Sequence, residues 1–204
     1  MLKVNELECV RGDRLLFSQL SFTVTPGNLL HVQGANGSGK TTLLRAICGL
    51  LQPQVGTIYW HGKNIHSIRD EFYNDILYLG HLNGIKPDLT GIENLRISAT
   101  LSGLAIKTSL LWEALQRMGL NGFEDLQTKV LSQGQKRRVA LAKLLLSRAP
   151  LWILDEPFVG LDNTAVDLIL KILANHLAHS GMIIITTHQD LFIQSGSVHC
   201  LKLT

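Results

Sequence analysis

No stretch of the 204-residue sequence approaches the roughly 18–20 consecutive apolar residues that span a bilayer, so the chain itself is not expected to cross a membrane. A signal peptide is equally missing, because Met1–Val10 carries Lys3, Glu6 and Glu8. Cysteine is scarce: Cys9, Cys48 and Cys200 are odd in number and far apart, which excludes a disulfide framework and predicts a reduced, cytosolic compartment. There is no proline-rich linker, low-complexity tract or internal repeat. The formal charge of +3 is too small and too scattered to argue for nucleic acid. Basic residues cluster only at Lys136, Arg137 and Arg138, and such a run is expected to be a solvated helix face.

With 46% hydrophobic residues, the chain is long enough for one domain with a sizeable core. Short β-like runs recur at Leu2–Val10, Leu29–Gly34, Thr57–Trp60, Ile76–Leu79, Leu151–Asp155 and Met182–Thr186. Several are nearly continuous apolar runs, which suits strands buried on both faces of a parallel sheet. Helical patterns lie between them; in Asn163–His179 the apolar set Val166, Ile169, Leu170, Leu173 and Leu177 follows 3.6-residue spacing. Alternating strands and helices predict an α/β fold. From about residue 85 to 129 no strand candidate appears, which predicts a helical subdomain inserted into an α/β core of residues 1–84 and 130–204.

Gly34-Ala35-Asn36-Gly37-Ser38-Gly39-Lys40-Thr41-Thr42 matches the phosphate-binding pattern G-x-x-x-x-G-K-[ST], with an apolar strand leading in and a helical pattern, Thr41–Cys48, leading out. Glycines here let the backbone turn tightly and aim its N–H groups at phosphate oxygens, while the helix N-terminus adds a positive dipole end. Lys40 is the candidate for the β- and γ-phosphates of ATP, and the Thr41 hydroxyl for Mg²⁺. A second apolar strand, Leu151–Leu154, ends in Asp155-Glu156. Two adjacent acids at a buried strand end are costly unless a cation or a reaction needs them. Asp155 is the candidate Mg²⁺ carboxylate, and Glu156 the candidate base for the attacking water.

Between these motifs lies Leu131-Ser132-Gln133-Gly134-Gln135. Ser132 and Gln135 form a capping-box pattern that opens a helix. The segment also resembles the Leu-Ser-Gly-Gly-Gln signature of the ATP-binding cassette (ABC) family, with Gln133 in place of the first glycine. The resemblance extends over essentially the whole chain and implies the P-loop NTPase fold of ABC ATPases and an ATP hydrolase that dimerises head to tail on ATP. The signature Ser132, Gln133, Gly134 and Gln135 of one subunit then completes the ATP site of the other. Asp162, in Val159-Gly160-Leu161-Asp162, matches the family's dimer-contacting loop, and His188, after Thr186-Thr187, its γ-phosphate-sensing histidine. The other histidines carry no assignment apart from His81.

Two positions depart from the family pattern. Where most members carry a glutamine that couples nucleotide to the membrane partner, this chain has His81, whose role would change with protonation. Where most carry an adenine-stacking aromatic before a glycine, this chain reads Arg11-Gly12. A guanidinium plane can also stack on a base, so Arg11 is a candidate adenine contact; the alternative is a surface arginine, with Phe17 or nothing in the stacking role.

Gly80-His81-x-x-Gly84-Ile85-Lys86-Pro87, Gly122-Phe123-Glu124-Asp125 and Leu151-Trp152-Ile153-Leu154-Asp155-Glu156-Pro157-Phe158 narrow the resemblance to the haem exporter ATPases of cytochrome c biogenesis. It implies a peripheral subunit on the cytoplasmic face of the inner membrane, working with integral membrane transporter subunits and, indirectly, a haem-handling partner. A helix of its membrane partner would enter a groove between the helical insert and the His81 loop, lined by residues such as Leu82, Ile85 and Leu89; the alternative is that these apolar residues pack within the insert. The alternatives are an ABC transporter ATPase for another substrate and a non-transport ABC assembly ATPase.

Overall fold

The computed structural model describes residues 1–189, 191, 193 and 195–203. The strands are β1 (Leu2–Arg11), β2 (Arg14–Val24), β3 (Asn28–Gln33), β4 (Val55–Trp60), β5 (Lys63–Asn64), β6 (Ile76–Leu79), β7 (Leu151–Asp155), β8 (Met182–Thr186) and β9 (Ser197–Lys202). The α-helices are α1 (Lys40–Ile47), α2 (Arg69–Asn74), α3 (Gly91–Leu101), α4 (Thr108–Arg117), α5 (Gln133–Leu141), α6 (Lys143–Leu146) and α7 (Asn163–Ala178).

The chain divides into two compact units. The first comprises residues 1–78, 149–156 and 173–204 and holds both sheets. One sheet is antiparallel, in the order β2-β1-β4-β5; the other has the order β6-β7-β8-β3-β9, with β3, β7, β8 and β9 running parallel. β7 and β8 are buried at every position, as continuous apolar runs predict for the centre of a parallel sheet. A single apolar core joins the sheets to α1: Leu2, Val4, Ile58 and Trp60 share it with Leu43, Leu44, Ile47, Val32, Ile153 and Ile184. The expected α/β class is thus present.

Three strands were not foreseen: β2, the two-residue β5 and β9. In β2 the left-handed Gln19 (φ 53°) and register shifts against β1 break the two-residue alternation, so Leu16 and Phe17 are buried side by side. Most of β9 is exposed at a sheet edge, so it lacks the apolar signal of its neighbours.

The second unit comprises residues 79–148 and 157–172, the division falling within α7. It takes in α3 and α4 of the expected insert together with α5 and α6. Thr90 opens α3 with a reciprocal capping box to Glu93. Among the described residues, no helix is long and apolar enough to cross a membrane.

Candidate active site

Strand order assembles the site in the first unit. β7, β8 and β3 are adjacent and parallel, with Asp155 level with Thr186 and Val32 level with Thr186. Their C-terminal ends carry Asp155-Glu156, Thr187-His188 and the phosphate loop, three segments far apart in sequence. Ligands of open α/β sheets bind outside these ends.

The loop turns back on itself between β3 and α1. A Cβ on Gly34 would fall 2.4 Å from Ser38 Oγ and 2.8 Å from the Leu203 carbonyl, so no other residue fits there without displacement. Gly39, at φ 99°, caps α1 in a left-handed conformation over the Phe17 ring. Lys40 Nζ donates to the Gly34 carbonyl at 2.7 Å and to the Ala35 carbonyl at 3.3 Å, which holds the ammonium over the loop. Ser38 Oγ is buried with no hydrogen-bond partner among the described residues. A cation poised over a glycine turn with an unsatisfied hydroxyl is a fitting cradle for phosphate oxygens.

Thr41 Oγ1 donates to Asp155 Oδ2 at 2.8 Å, bringing the two proposed metal oxygens into contact. The other carboxylate oxygen, Oδ1, accepts from Thr186 Oγ1 at 2.7 Å. Asp155 is 1% exposed, and its field reaches further: burial first, then the Asp155 charge, pushes up both the Cys48 thiol and the Tyr78 phenol. Hard oxygen donors in a negative field suit a hard divalent cation. Glu156 follows in a left-handed conformation, φ 49°, uncommon for a side-chain-bearing residue. Its N–H donates to the Thr186 carbonyl at 3.1 Å and to Thr186 Oγ1 at 3.0 Å, fixing the turn. Glu156 Oε1 lies 3.5 Å from His188 Nε2; the carboxylate side chain is 15% exposed and the imidazole 63%. The pair sets a sheltered carboxylate beside an exposed imidazole at the ends of neighbouring strands.

Residues 17–159 match the family described as ABC transporter. Over 204 residues the sequence is 54% identical to the cytochrome c biogenesis ATP-binding export protein CcmA of Nitrosomonas europaea, covering 100% of this chain and 96% of that one. The chain belongs to the ABC transporter family, in the branch of these export proteins. Among solved structures, an ATP-binding subunit of an ABC transporter aligns with a TM-score of 0.82 at 26% identity, covering 92% of this chain and 79% of that one. A dimeric bacterial ABC transporter cassette aligns at 0.86 and 22% identity over 99% and 94%, a likeness of fold.

The cassette's remaining sequence-predicted residues lie elsewhere. Arg11 is exposed at the end of β1, level with Arg14 across the hairpin. Phe17 is 8% exposed, with its ring 3.2 Å from a Cβ built on Gly39, so it packs beneath the loop rather than presenting a face to a base. In the second unit, Ser132 and Gln135 form the expected capping box at the start of α5: Ser132 Oγ accepts from Gln135 N at 3.2 Å, and Gln135 Oε1 from Ser132 N at 2.9 Å. Gly134 lies so close to the Gly160 carbonyl that a Cβ would fall 2.8 Å from it, while Gln133 is exposed. Asp162 accepts from Ala165 N at 2.8 Å, capping α7, and pairs with Arg138 at 2.5 Å. His81 is exposed in the loop after β6, and Leu82 is 84% exposed.

The basic run differs from expectation. Arg137 is 4% exposed, not a solvated face, because its guanidinium is bonded to backbone on two sides. Sequence reasoning also assigned no role to Thr186, which bridges Asp155 and Glu156, or to His31, whose Nε2 is 3.0 Å from the Thr187 carbonyl beside His188. A polar residue in the apolar strand Leu29–Val32 was the available signal for His31.

Proposed function

We propose that the chain is the ATP-binding, ATP-hydrolysing subunit of an ABC transporter complex serving cytochrome c biogenesis, powering haem export or release of a haem-loaded chaperone. The juxtaposition of phosphate loop, Asp155-Glu156 and His188 on three neighbouring strand ends carries the ATPase reading. Full-length identity of 54% to an export protein of that name supports the cytochrome branch.

In this reading the turn from Gly34 through Ala35, Asn36, Gly37, Ser38 and Gly39, with Thr42 behind it, cradles the phosphates, and Lys40 neutralises the β- and γ-phosphate charge. Thr41 and Asp155 would hold Mg²⁺, which when bound offsets charge on the same oxygens. Glu156 accepts a proton from the attacking water, and the His188 imidazole beside it orients that carboxylate. Two copies pair head to tail on ATP, each offering Ser132, Gln133, Gly134 and Gln135 to the nucleotide of the other, with Asp162 beside the join. Arg11 stacks on adenine. His81 takes the place of the coupling glutamine; a pH–rate profile of His81→Gln identical to wild type would remove it from turnover. Integral membrane subunits anchor the pair at the cytoplasmic face, with the haem-handling partner beyond them.

The test is a deletion strain. Covalent c-type cytochromes should disappear, return with the wild-type gene, and stay absent with Lys40→Ala or Glu156→Gln. Normal cytochromes in the deletion strain would discard the haem reading; ATP hydrolysis by the purified chain separates that outcome from failure of the ATPase reading.

A further inference from the structure

Arg137, on the second turn of α5, is buried in the second unit and is not among the residues assigned above to the nucleotide. Its Nε donates to the Pro157 carbonyl at 3.1 Å. Its Nη1 donates to the Gly80 carbonyl at 3.2 Å and to Asn83 Oδ1 at 3.1 Å. Removing a guanidinium from water is costly, and a planar fork of donors is the side chain suited to several acceptors in different directions. Lysine, with one point of charge, cannot serve them together.

The acceptors belong to separate stretches of chain. Gly80 and Asn83 flank His81 and Leu82, the exposed tip of the loop after β6. Pro157 follows Glu156 directly and opens the turn to Asp162. Arg137 itself rides on the helix whose first turn is Gln133-Gly134-Gln135. That helix touches the 157–162 turn twice more, through Gly134 against the Gly160 carbonyl and through Arg138 to Asp162. Only Arg137 among these contacts also reaches the His81 loop.

We propose that Arg137 is a positioning residue that makes the His81 loop, the turn after Glu156 and helix α5 move as one body. A displacement of the exposed loop tip is then passed to the first turn of α5 instead of being absorbed between them. The inference rests on the ATPase reading above, since it assigns α5 and the His81 loop a part in turnover. The bonds of Arg137 to Pro157, Gly80 and Asn83 lie within the second unit, whereas the phosphate loop belongs to the first, so its loss should slow turnover with little effect on nucleotide binding.

The experiment compares purified wild type, Arg137→Gln, Asn83→Ala and the double variant for ATP hydrolysis, with hydrogen exchange read along the chain. Arg137→Gln should lower kcat about tenfold or more with KM for ATP within about twofold. Amides in 79–86 and 131–138 should exchange faster, while those of α1 keep their protection. Asn83→Ala should lower kcat less and add nothing to Arg137→Gln, because it removes a bond already lost. A kcat within about twofold of wild type, effects that multiply, or loss of protection throughout the chain would overturn the proposal. Should Arg137→Gln fail to fold, Asn83→Ala decides alone: slower turnover with faster exchange in 79–86 supports it, and no change in either overturns it. A wild-type protein that does not hydrolyse ATP overturns the ATPase reading itself; an active wild type with a normal Arg137→Gln overturns only the role of Arg137.

Discussion

The phosphate-loop site and the α5 region are built by different means. In the first unit each functional group sits on a strand end or in a glycine turn, and backbone geometry places it: Gly34 and Gly39 shape the loop, and Glu156 is held by its own N–H to Thr186. Short side-chain bonds supplement that geometry, among them Thr41 to Asp155, Thr186 to Asp155 and Lys40 to the Gly34 carbonyl. Around α5 the order is reversed. Two long arginine side chains tie the helix to the loops at Gly80, Asn83, Pro157 and Asp162. A site set by backbone resists substitution of its neighbours but not of its glycines and acids. A region set by arginine forks can be loosened one bond at a time.

Substitutions can break or sharpen that contrast. The largest effect belongs to Glu156→Gln, which keeps shape and removes the proton acceptor; hydrolysis should fall by about 10²–10⁴-fold while ATP binding, read by equilibrium dialysis, stays. Retained hydrolysis would take the base role from Glu156.

Next comes a pH effect in the first unit. His176 stacks on Trp152 with ring centroids 3.7 Å apart and planes 4° apart, behind the strand that carries Asp155. Burial holds the imidazole down to about 4, below its ordinary 6.5. Protonation is therefore disfavoured in the folded state relative to the unfolded one. Stability is intact above about pH 6.5 and declines as pH falls from there toward about 4. Thermal unfolding of His176→Phe should lose that part of the slope; an unchanged slope would show that other groups carry it.

Asp162→Ala is milder. It deletes the α7 cap and the Arg138 partner, both on a side chain 61% exposed, and should cost about 1 kcal/mol by urea unfolding. A loss several times larger would mean that the ion pair, not the cap, holds the turn. The smallest effect is expected for exposed Arg11: Arg11→Ala should weaken ATP binding a few-fold by titration, and unchanged affinity would leave it a surface arginine.

Much of the site was legible because its chemistry is local. A phosphate loop needs its glycines, lysine and hydroxyl within nine residues, and two acids ending an apolar run mark a strand end wherever it lies. The capping box at Ser132 and Gln135 was readable for the same reason. The burial of Arg137 was not, since the run Lys136-Arg137-Arg138 looks like a solvated face until Gly80 and Pro157 are seen against it. Phe17 likewise reads as a stacking candidate until the loop is found to lie on it.

From sequence alone came the α/β class, the candidate phosphate loop and the paired acids, because each rests on spacings of a few residues that backbone geometry demands. Tertiary structure alone decided that β7, β8 and β3 are neighbours, which brings Thr41 to Asp155 and His188 to Glu156. It also decided that β2 and β9 are strands and that Arg137 is buried. Those outcomes depend on partners many residues away along the chain, and nothing in a local pattern names a partner.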